Sequence, residues 1–189
     1  LKKKLSNYDL VIVCDFGHQL FNKEIISEII SSSKFLSINA QTNAENRGFN
    51  LITKYKYADF ICIDEPELRL ALSDKNTQVK DLIRKLYKKI KVKKIIVTLG
   101  PNGIIVSELI NGKVNYFSLP AFEKNPIDTI GAGDAVLAIS SALLARKSCI
   151  YSTATIANLF GALKTKIRGH ADFIKKGQVL KSLDNLLNY

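Results

Sequence analysis

Lys94-Ile-Ile-Val-Thr-Leu99 runs into Gly100-Pro101-Asn102-Gly103, after which Gly103–Leu109 and Lys113–Leu119 flank the dipeptide Asn111-Gly112. A short, continuously apolar run rich in β-branched residues and stopped by Gly and Pro reads as a strand covered on both faces. Asn-Gly between two strand-like segments is the signal of a tight type I′ turn, so the second half of the stretch reads as a hairpin. Working back toward the N-terminus, the same kind of run recurs at Leu10–Asp15 (LVIVCD), Phe35–Ala40 (FLSINA) and Ala58–Ile63 (ADFICI). Helical patterns fill the intervals. Asn22–Ser33 carries Ile25, Ile26, Ile29 and Ile30 on one stripe, a helix begins over Pro66–Leu72, and Val79, Leu82, Ile83, Leu86 and Ile90 recur at helical spacing. Toward the C-terminus, Asp134–Ala145, Tyr151–Lys164 and Gln178–Leu187 read as helices. Apolar strands alternating with helices predict an α/β protein of three layers, a mostly parallel sheet between helices with one hairpin at Asn111-Gly112. In such sheets ligands bind beyond the carboxyl ends of the strands.

Composition narrows the classes. With 189 residues, 47% of them hydrophobic, the chain can bury one sizeable core, and residues 1–189 are expected to form a single domain. No apolar run approaches the ~20 residues of a membrane span, and no export signal opens the chain, so no membrane partner and a cytoplasmic location are expected. Cys14, Cys62 and Cys149 are widely spaced without a Cys-x-x-Cys, which argues against disulfides and zinc. The net charge of +11 is concentrated in Lys80, Arg84, Lys85, Lys88, Lys89, Lys91, Lys93 and Lys94, the outer face of the amphipathic stretch. A solvated face is the expected reading and nucleic acid is not expected as a partner, since only Tyr87 interleaves the charge. The opening Leu1-Lys2-Lys3-Lys4-Leu5, without Met, looks like the start of a piece of something longer.

The segment richest in chemistry is Asn125-Pro126-Ile127-Asp128-Thr129-Ile130-Gly131-Ala132-Gly133-Asp134-Ala135. Two glycines bracket an alanine immediately before an apolar helix. Small residues permit a sharp turn and close backbone approach, and the first amides of a helix lack internal partners. The amides of Ala132, Gly133 and Asp134 would then face an anion, with the Asp134 carboxylate beside it. On spacing alone, an anion cradle with an adjacent base and an ordinary glycine turn with an N-terminal aspartate fit equally well. The chain has no Gly-x4-Gly-Lys-Ser/Thr, no full dinucleotide fingerprint, no His-Glu-x-x-His and no Gly-x-Ser-x-Gly.

Asp128-Thr-Ile-Gly-Ala-Gly-Asp134 resembles the C-terminal signature of the ribokinase-like, or phosphofructokinase-B, carbohydrate kinases. Val97-Thr98-Leu99-Gly100 with Gly103 resembles the family's turn beside the nucleotide, Asp64-Glu65-Pro66-Glu67 its Asn-x-x-Glu segment, and Ala154–Leu163 with Asn158 its adenine-flanking helix. The resemblance implies a Rossmann-like ribokinase fold and transfer of the γ-phosphate of ATP to a sugar hydroxyl. It implies that Asp134 is the base and that Gly131, Ala132, Gly133 and the Asp134 amide form the anion hole. It further implies that Thr98, Gly100, Gly103 and Asn158 line the nucleotide, that Glu67 and Asp64 hold Mg²⁺, and that Asp128 and the carbonyl near Ile130 hold a monovalent cation such as K⁺. Asp64 departs from the family pattern, which has Asn there.

Asp15-Phe16-Gly17-His18, Asn39-Ala-Gln41-Thr42-Asn43 and Asn46-Arg47-Gly48 are similar to the branch of heptose-phosphate kinases, often joined to a nucleotidyltransferase. This makes Asp15, Asn39 and Arg47 candidate substrate residues, with Arg47 suited to a phosphate already on the sugar. A surface loop of self-capping turns is the alternative for the same residues. The resemblance also implies that an N-terminal sugar-binding portion and lid lie outside these residues. These 189 residues alone are then not expected to phosphorylate a sugar, and exposed sheet surface would favour association, for instance as a homodimer. A non-catalytic, nucleotide-binding or regulatory domain of a larger protein remains the alternative.

Overall fold

A computed structural model describes residues 2–42, 48–169 and 171–188 of the chain. A short helix, α1 (Lys2–Leu5), precedes strand β1 (Val11–Asp15), helix α2 (Lys23–Ser32) and strand β2 (Leu36–Ala40). Strand β3 (Tyr57–Asp64) leads into helices α3 (Glu65–Leu72) and α4 (Val79–Lys89), and strand β4 (Lys91–Thr98) into the hairpin β5 (Ile104–Ile110) and β6 (Lys113–Leu119). Helices α5 (Ala132–Ala145), α6 (Ile150–Lys164) and α7 (Lys176–Leu187) complete the chain. Among the described residues the strands form one sheet in the order β1-β2-β3-β4-β5-β6. The first four are parallel, and β5 and β6 are antiparallel to their neighbours.

This sequential order fixes where the helices go. Right-handed crossovers between successive adjacent parallel strands all place their helices on the same face of the sheet. Accordingly Ile26 and Ile29 of α2, Leu68 of α3 and Leu82, Ile83 and Leu86 of α4 pack in one core with Val13, Ile38, Ile61, Ile63 and Ile95. The opposite face is covered by the helices that follow the hairpin. Val136, Leu137 and Leu144 of α5 and Ile150, Ala154 and Ala157 of α6 close on Phe60, Cys62, Ile96, Ile104 and Val106. Each fully buried Leu or Ile in these two layers contributes about 1.5–3 kcal/mol. Ile12 and Cys14 of β1, on this second face, remain exposed.

Local chemistry sets the boundaries. Asn22 caps α2 by accepting the Ile25 amide at 2.9 Å. Asp64 and Glu67 cap α3 reciprocally, and a left-handed Ser73 ends it. Asn111 (φ 49) and Gly112 (φ 77) take the left-handed conformations of the expected type I′ turn. Two expectations need correction. Strand β4 begins at Lys91, three residues before the expected Lys94, so Lys91 and Lys93 belong to the sheet rather than to the basic helix. The alternation of exposed Lys91, buried Val92 and exposed Lys93 was hidden by charge on its solvent side. Helix α5 begins at Ala132, two residues before the expected start, because left-handed Gly131 (φ 76) turns the chain directly into it. The basic face of α4 is partly neutralised, Arg84 by Asp81 (2.6 Å) and Lys85 by Asp74 (2.6 Å), and Lys80 and Arg84 lie over the Tyr116 ring. Among the described residues no helix is long and apolar enough to cross a membrane.

Candidate active site

The four parallel strands end at one edge of the sheet, and their register places Asp15 opposite Ala40 and Asp64 opposite Thr98. Residues just beyond these ends converge with the start of α5. Gln41 Nε2 donates to Asp134 Oδ1 at 2.9 Å across 93 residues of sequence. The next residue, Thr42, donates its amide to Glu67 Oε1 at 3.3 Å. Glu67 Oε2 accepts the Asp64 amide at 2.9 Å, and Asp64 Oδ1 accepts the Glu67 amide at 2.7 Å. The fold thus brings together Asp134, Glu67 and Asp64, three of the candidates, through Gln41 and Thr42.

The glycine turn leads through left-handed Gly131 directly into the N-terminus of α5. The Ala132 amide donates to the Thr129 carbonyl at 3.2 Å, so it is committed to the turn, and Ala135 closes onto Gly131 O at 3.0 Å. Among the described residues the amides of Gly133 and Asp134 have no protein acceptor. Gly133 and Asp134 are exposed, and a methyl group built on Gly133 would meet nothing within 4 Å. Packing does not require glycine there; room at the helix start is what its absent side chain supplies. Gly131 is different, since its positive φ forms the turn itself.

Asp128 ties this turn to the segment after α6. Its Oδ1 accepts the Ile130 amide at 2.9 Å and its Oδ2 the Gly169 amide at 2.7 Å. The Ile127 and Asp128 amides both donate to Thr165 O. These backbone bonds, with the charges of Lys164 and Arg168, hold the Asp128 carboxyl below its ordinary range. Lys164, the last residue of α6, donates from Nζ to Gly169 O at 2.7 Å.

The remaining candidates serve different ends. Asp15 is 2% exposed, and it braces the interior. Its Oδ1 accepts the Gly17 amide at 3.0 Å, while Oδ2 accepts from Tyr55 at 2.7 Å and pairs with Lys54 at 2.5 Å. Burial alone would raise this carboxyl, but those bonds hold it low. Both carboxylate oxygens are thus engaged within the protein. Buried Asn50 joins this network to the site, donating to Asp15 O at 2.8 Å and to Gln41 O at 3.1 Å. Asn39 is buried and donates to Cys62 O at 2.8 Å, and among the described residues its Oδ1 has no partner. Arg47 lies outside the described residues. Thr98 ends β4 and Gly100 lies just beyond it, half-buried and exposed respectively. Gly103 is buried against the end of β6. Asn158 is buried and donates to Pro120 O at 2.7 Å, tying α6 to the segment after β6.

The donor set fits Mg²⁺ shared with a substrate better than a protein-built cage. Among the described residues no three His, Cys, Asp or Glu side chains gather closely enough to hold an ion by themselves. Yet burial pushes the Glu67 carboxyl up to about 7, and the charges of Asp64 and Asp134 add to the effect against the opposing Asp64 and Thr42 amides. Asp64 is likewise raised, by burial first and by the charge of Glu65. Carboxylates crowded against one another and short of counter-charge suit a cation that keeps most of its waters.

The pH dependence has a definite sign. Because the folded state favours protonated Glu67, its contribution to stability is full below about 4.5 and is lost as pH rises through about 7. Glu67→Gln should remove that part of the slope, and it should blunt the response of ATP binding to Mg²⁺ more than binding of ATP alone. Thermal melting across this pH range and paired titrations check both effects. Identical slopes and identical Mg²⁺ responses would exclude the assignment.

Sequence reasoning did not find the bond from Gln41 to the Asp134 carboxylate, the Asn50–Lys54–Tyr55 bracket or the placement of Lys164. Each depends on contacts made by the fold. The only sequence signal was the polar run Asn39–Asn50 directly after an apolar strand.

The architecture is that of solved sugar kinases. Ribokinase from Thermotoga maritima superposes with a TM-score of 0.71 at 19% identity, covering 97% of this chain and 59% of that one. Phosphofructokinase-2 from Escherichia coli, in complex with potassium, gives 0.70 at 17% identity, covering 87% of this chain and 51% of that one. The chain belongs to the pfkB family of carbohydrate kinases, which it matches over residues 2–176. Among curated proteins it is 29% identical over 188 residues to the bifunctional protein HldE of Campylobacter curvus, covering 97% of this chain and 38% of that protein. The chain therefore spans under two fifths of the length of such curated relatives.

Proposed function

We propose that the full-length protein transfers the γ-phosphate of ATP to a hydroxyl of a sugar or sugar phosphate at the carboxyl edge of the sheet. The observation that carries this reading is the pair of unclaimed amides, Gly133 and Asp134, at the exposed start of α5 beside the Asp134 carboxylate. Asp134 takes the proton from the attacking hydroxyl. The two amides and the N-terminus of α5 stabilise charge on the group being transferred. Thr98 and Gly100 border the nucleotide, and Gly103 and Asn158 keep that wall in place. Glu67 and Asp64 would hold Mg²⁺ through its waters, and the ion would supply positive charge against the phosphates. Asp64 in place of Asn fits this role without altering the helix, because both residues cap α3 equally well.

Gln41 positions the base in this mechanism. Gln41→Leu should lower kcat by ~10-fold or more, the effect of losing one hydrogen bond to a charged group, with little change in KM for ATP. An unchanged kcat would remove Gln41 from the mechanism. Calorimetry with ATP and MgCl2 tests the site itself, and failure of ATP to bind would exclude the kinase reading. A heptose phosphate is the acceptor class we favour, supported by the likeness of the Asp15–His18 and Asn39–Gly48 segments and by the HldE relative. In a protein of that length a nucleotidyltransferase portion would accompany the kinase, and the cytoplasm is the fitting location.

A further inference from the structure

The resemblance at Asp128 and Ile130 implies a monovalent-cation site, but a tethered ammonium already reaches that place. Both Asp128 oxygens accept backbone amides, from Ile130 at 2.9 Å and Gly169 at 2.7 Å. Gly169 O, the carbonyl beside this carboxylate, accepts from Lys164 Nζ at 2.7 Å. A methyl group built on Gly131 would lie 3.2 Å from Lys164 Cε and 3.8 Å from Nζ. The end of the lysine thus sits against the residue that starts the anion cradle. We propose that the Lys164 ammonium is a built-in monovalent cation for the Asp128–Gly131 turn, so that this protein does not require K⁺ there.

The physical grounds are charge and competition for the same acceptors. A free K⁺ would need several oxygen ligands from the Asp128 turn and the 165–169 segment. Thr165 O already accepts the Ile127 and Asp128 amides, each Asp128 oxygen accepts one further amide, and Gly169 O accepts from the ammonium, so a K⁺ there would have to share these acceptors with fixed donors. Lys164 supplies the same single positive charge, tethered to the last turn of α6, where the helix dipole favours it. Its charge acts on Asp128 together with that of Arg168, after the backbone bonds. It also reaches the turn without the entropy loss of capturing an ion from solution. A lysine that merely closed its own helix would make no prediction about K⁺; a stand-in cation does. The inference rests on the kinase reading only for its catalytic consequence.

Thermal melting in KCl against tetramethylammonium chloride at matched ionic strength tests it without any substrate. The wild type should melt at the same temperature in both salts. Lys164→Met should melt lower in tetramethylammonium and recover by about 2–4 °C in KCl specifically, the effect of restoring roughly one favourable charge interaction. Lys164→Arg, which keeps the charge, should remain indifferent to K⁺. In the full-length protein, ATP turnover should be independent of K⁺ for the wild type and become activated by K⁺ in Lys164→Met. A K⁺-specific rise in wild-type melting temperature would overturn the proposal, as would a folded Lys164→Met that ignores K⁺. If Lys164→Met fails to fold, Lys164→Gln and the wild-type comparison decide. Absence of turnover in either salt would count against the kinase reading and leave the melting result standing.

Discussion

Asp134→Asn is expected to lower kcat of the full-length protein by at least ~10²-fold, the usual contribution of a general base, while ATP affinity changes little. The substitution keeps the size of the side chain and its place in the first turn of α5. It also keeps an oxygen that can accept from Gln41, whose amide lies 2.9 Å from Oδ1. What it removes is the capacity to take a proton. The amides of Gly133 and Asp134 are untouched, so the phosphate cradle persists. Steady-state kinetics at saturating ATP, with calorimetry for nucleotide affinity, separates the two effects. Turnover near the wild-type rate would exclude Asp134 as base. A parallel loss of ATP binding would show that the carboxylate acts through the fold.

Gly103→Ala should cost about 4 kcal/mol or more, enough to consume most of the stability of an ordinary domain. Gly103 has φ 89, a conformation that side chains rarely adopt, and it is buried. An added Cβ would lie 2.0 Å from Leu119 O, 2.5 Å from the Pro120 carbonyl carbon and 2.6 Å from the Ala121 amide nitrogen. All three are backbone atoms, so no side chain can move aside, and the end of β6 would be forced from the turn after β4. The contrasting substitution is Gly133→Ala, where an added Cβ meets nothing within 4 Å. That variant should fold normally and lose turnover, because the methyl group enters the space in front of the free amides. Denaturant unfolding of both variants checks the pair. A Gly103→Ala protein as stable as wild type would contradict the account of this turn.

These two glycines show what the sequence does and does not display. The fold was legible because its signals are local: apolar strands, helical stripes and Asn111-Gly112 each declare themselves within a few residues. The layer arrangement also follows, since sequential parallel strands send α2, α3 and α4 to one face. The start of β4 was obscured by Lys91 and Lys93, the exposed positions on either side of buried Val92. The glycine turn before α5 was legible for the same local reason. The identity of its partners was not, because Gln41 meets Asp134 and Lys164 meets Gly169 only once the helices are packed. Asp15 is a similar case. A carboxylate at a strand end suggests a ligand contact, and the Tyr55 hydroxyl and Lys54 ammonium that bond to it come from a segment about 40 residues onward.

The central claim is transfer of a phosphoryl group from ATP to a sugar hydroxyl. The most direct measurement supplies γ-labelled ATP and Mg²⁺ to the full-length protein with a panel of pentoses, hexoses and heptose phosphates, and follows the label. The account predicts acceptor-dependent turnover in which each ADP formed is matched by one labelled phosphate ester on a sugar, and in which Asp134→Asn abolishes both. Bound ATP that is never consumed with any acceptor, or label appearing only as inorganic phosphate at a rate indifferent to sugar, would contradict it.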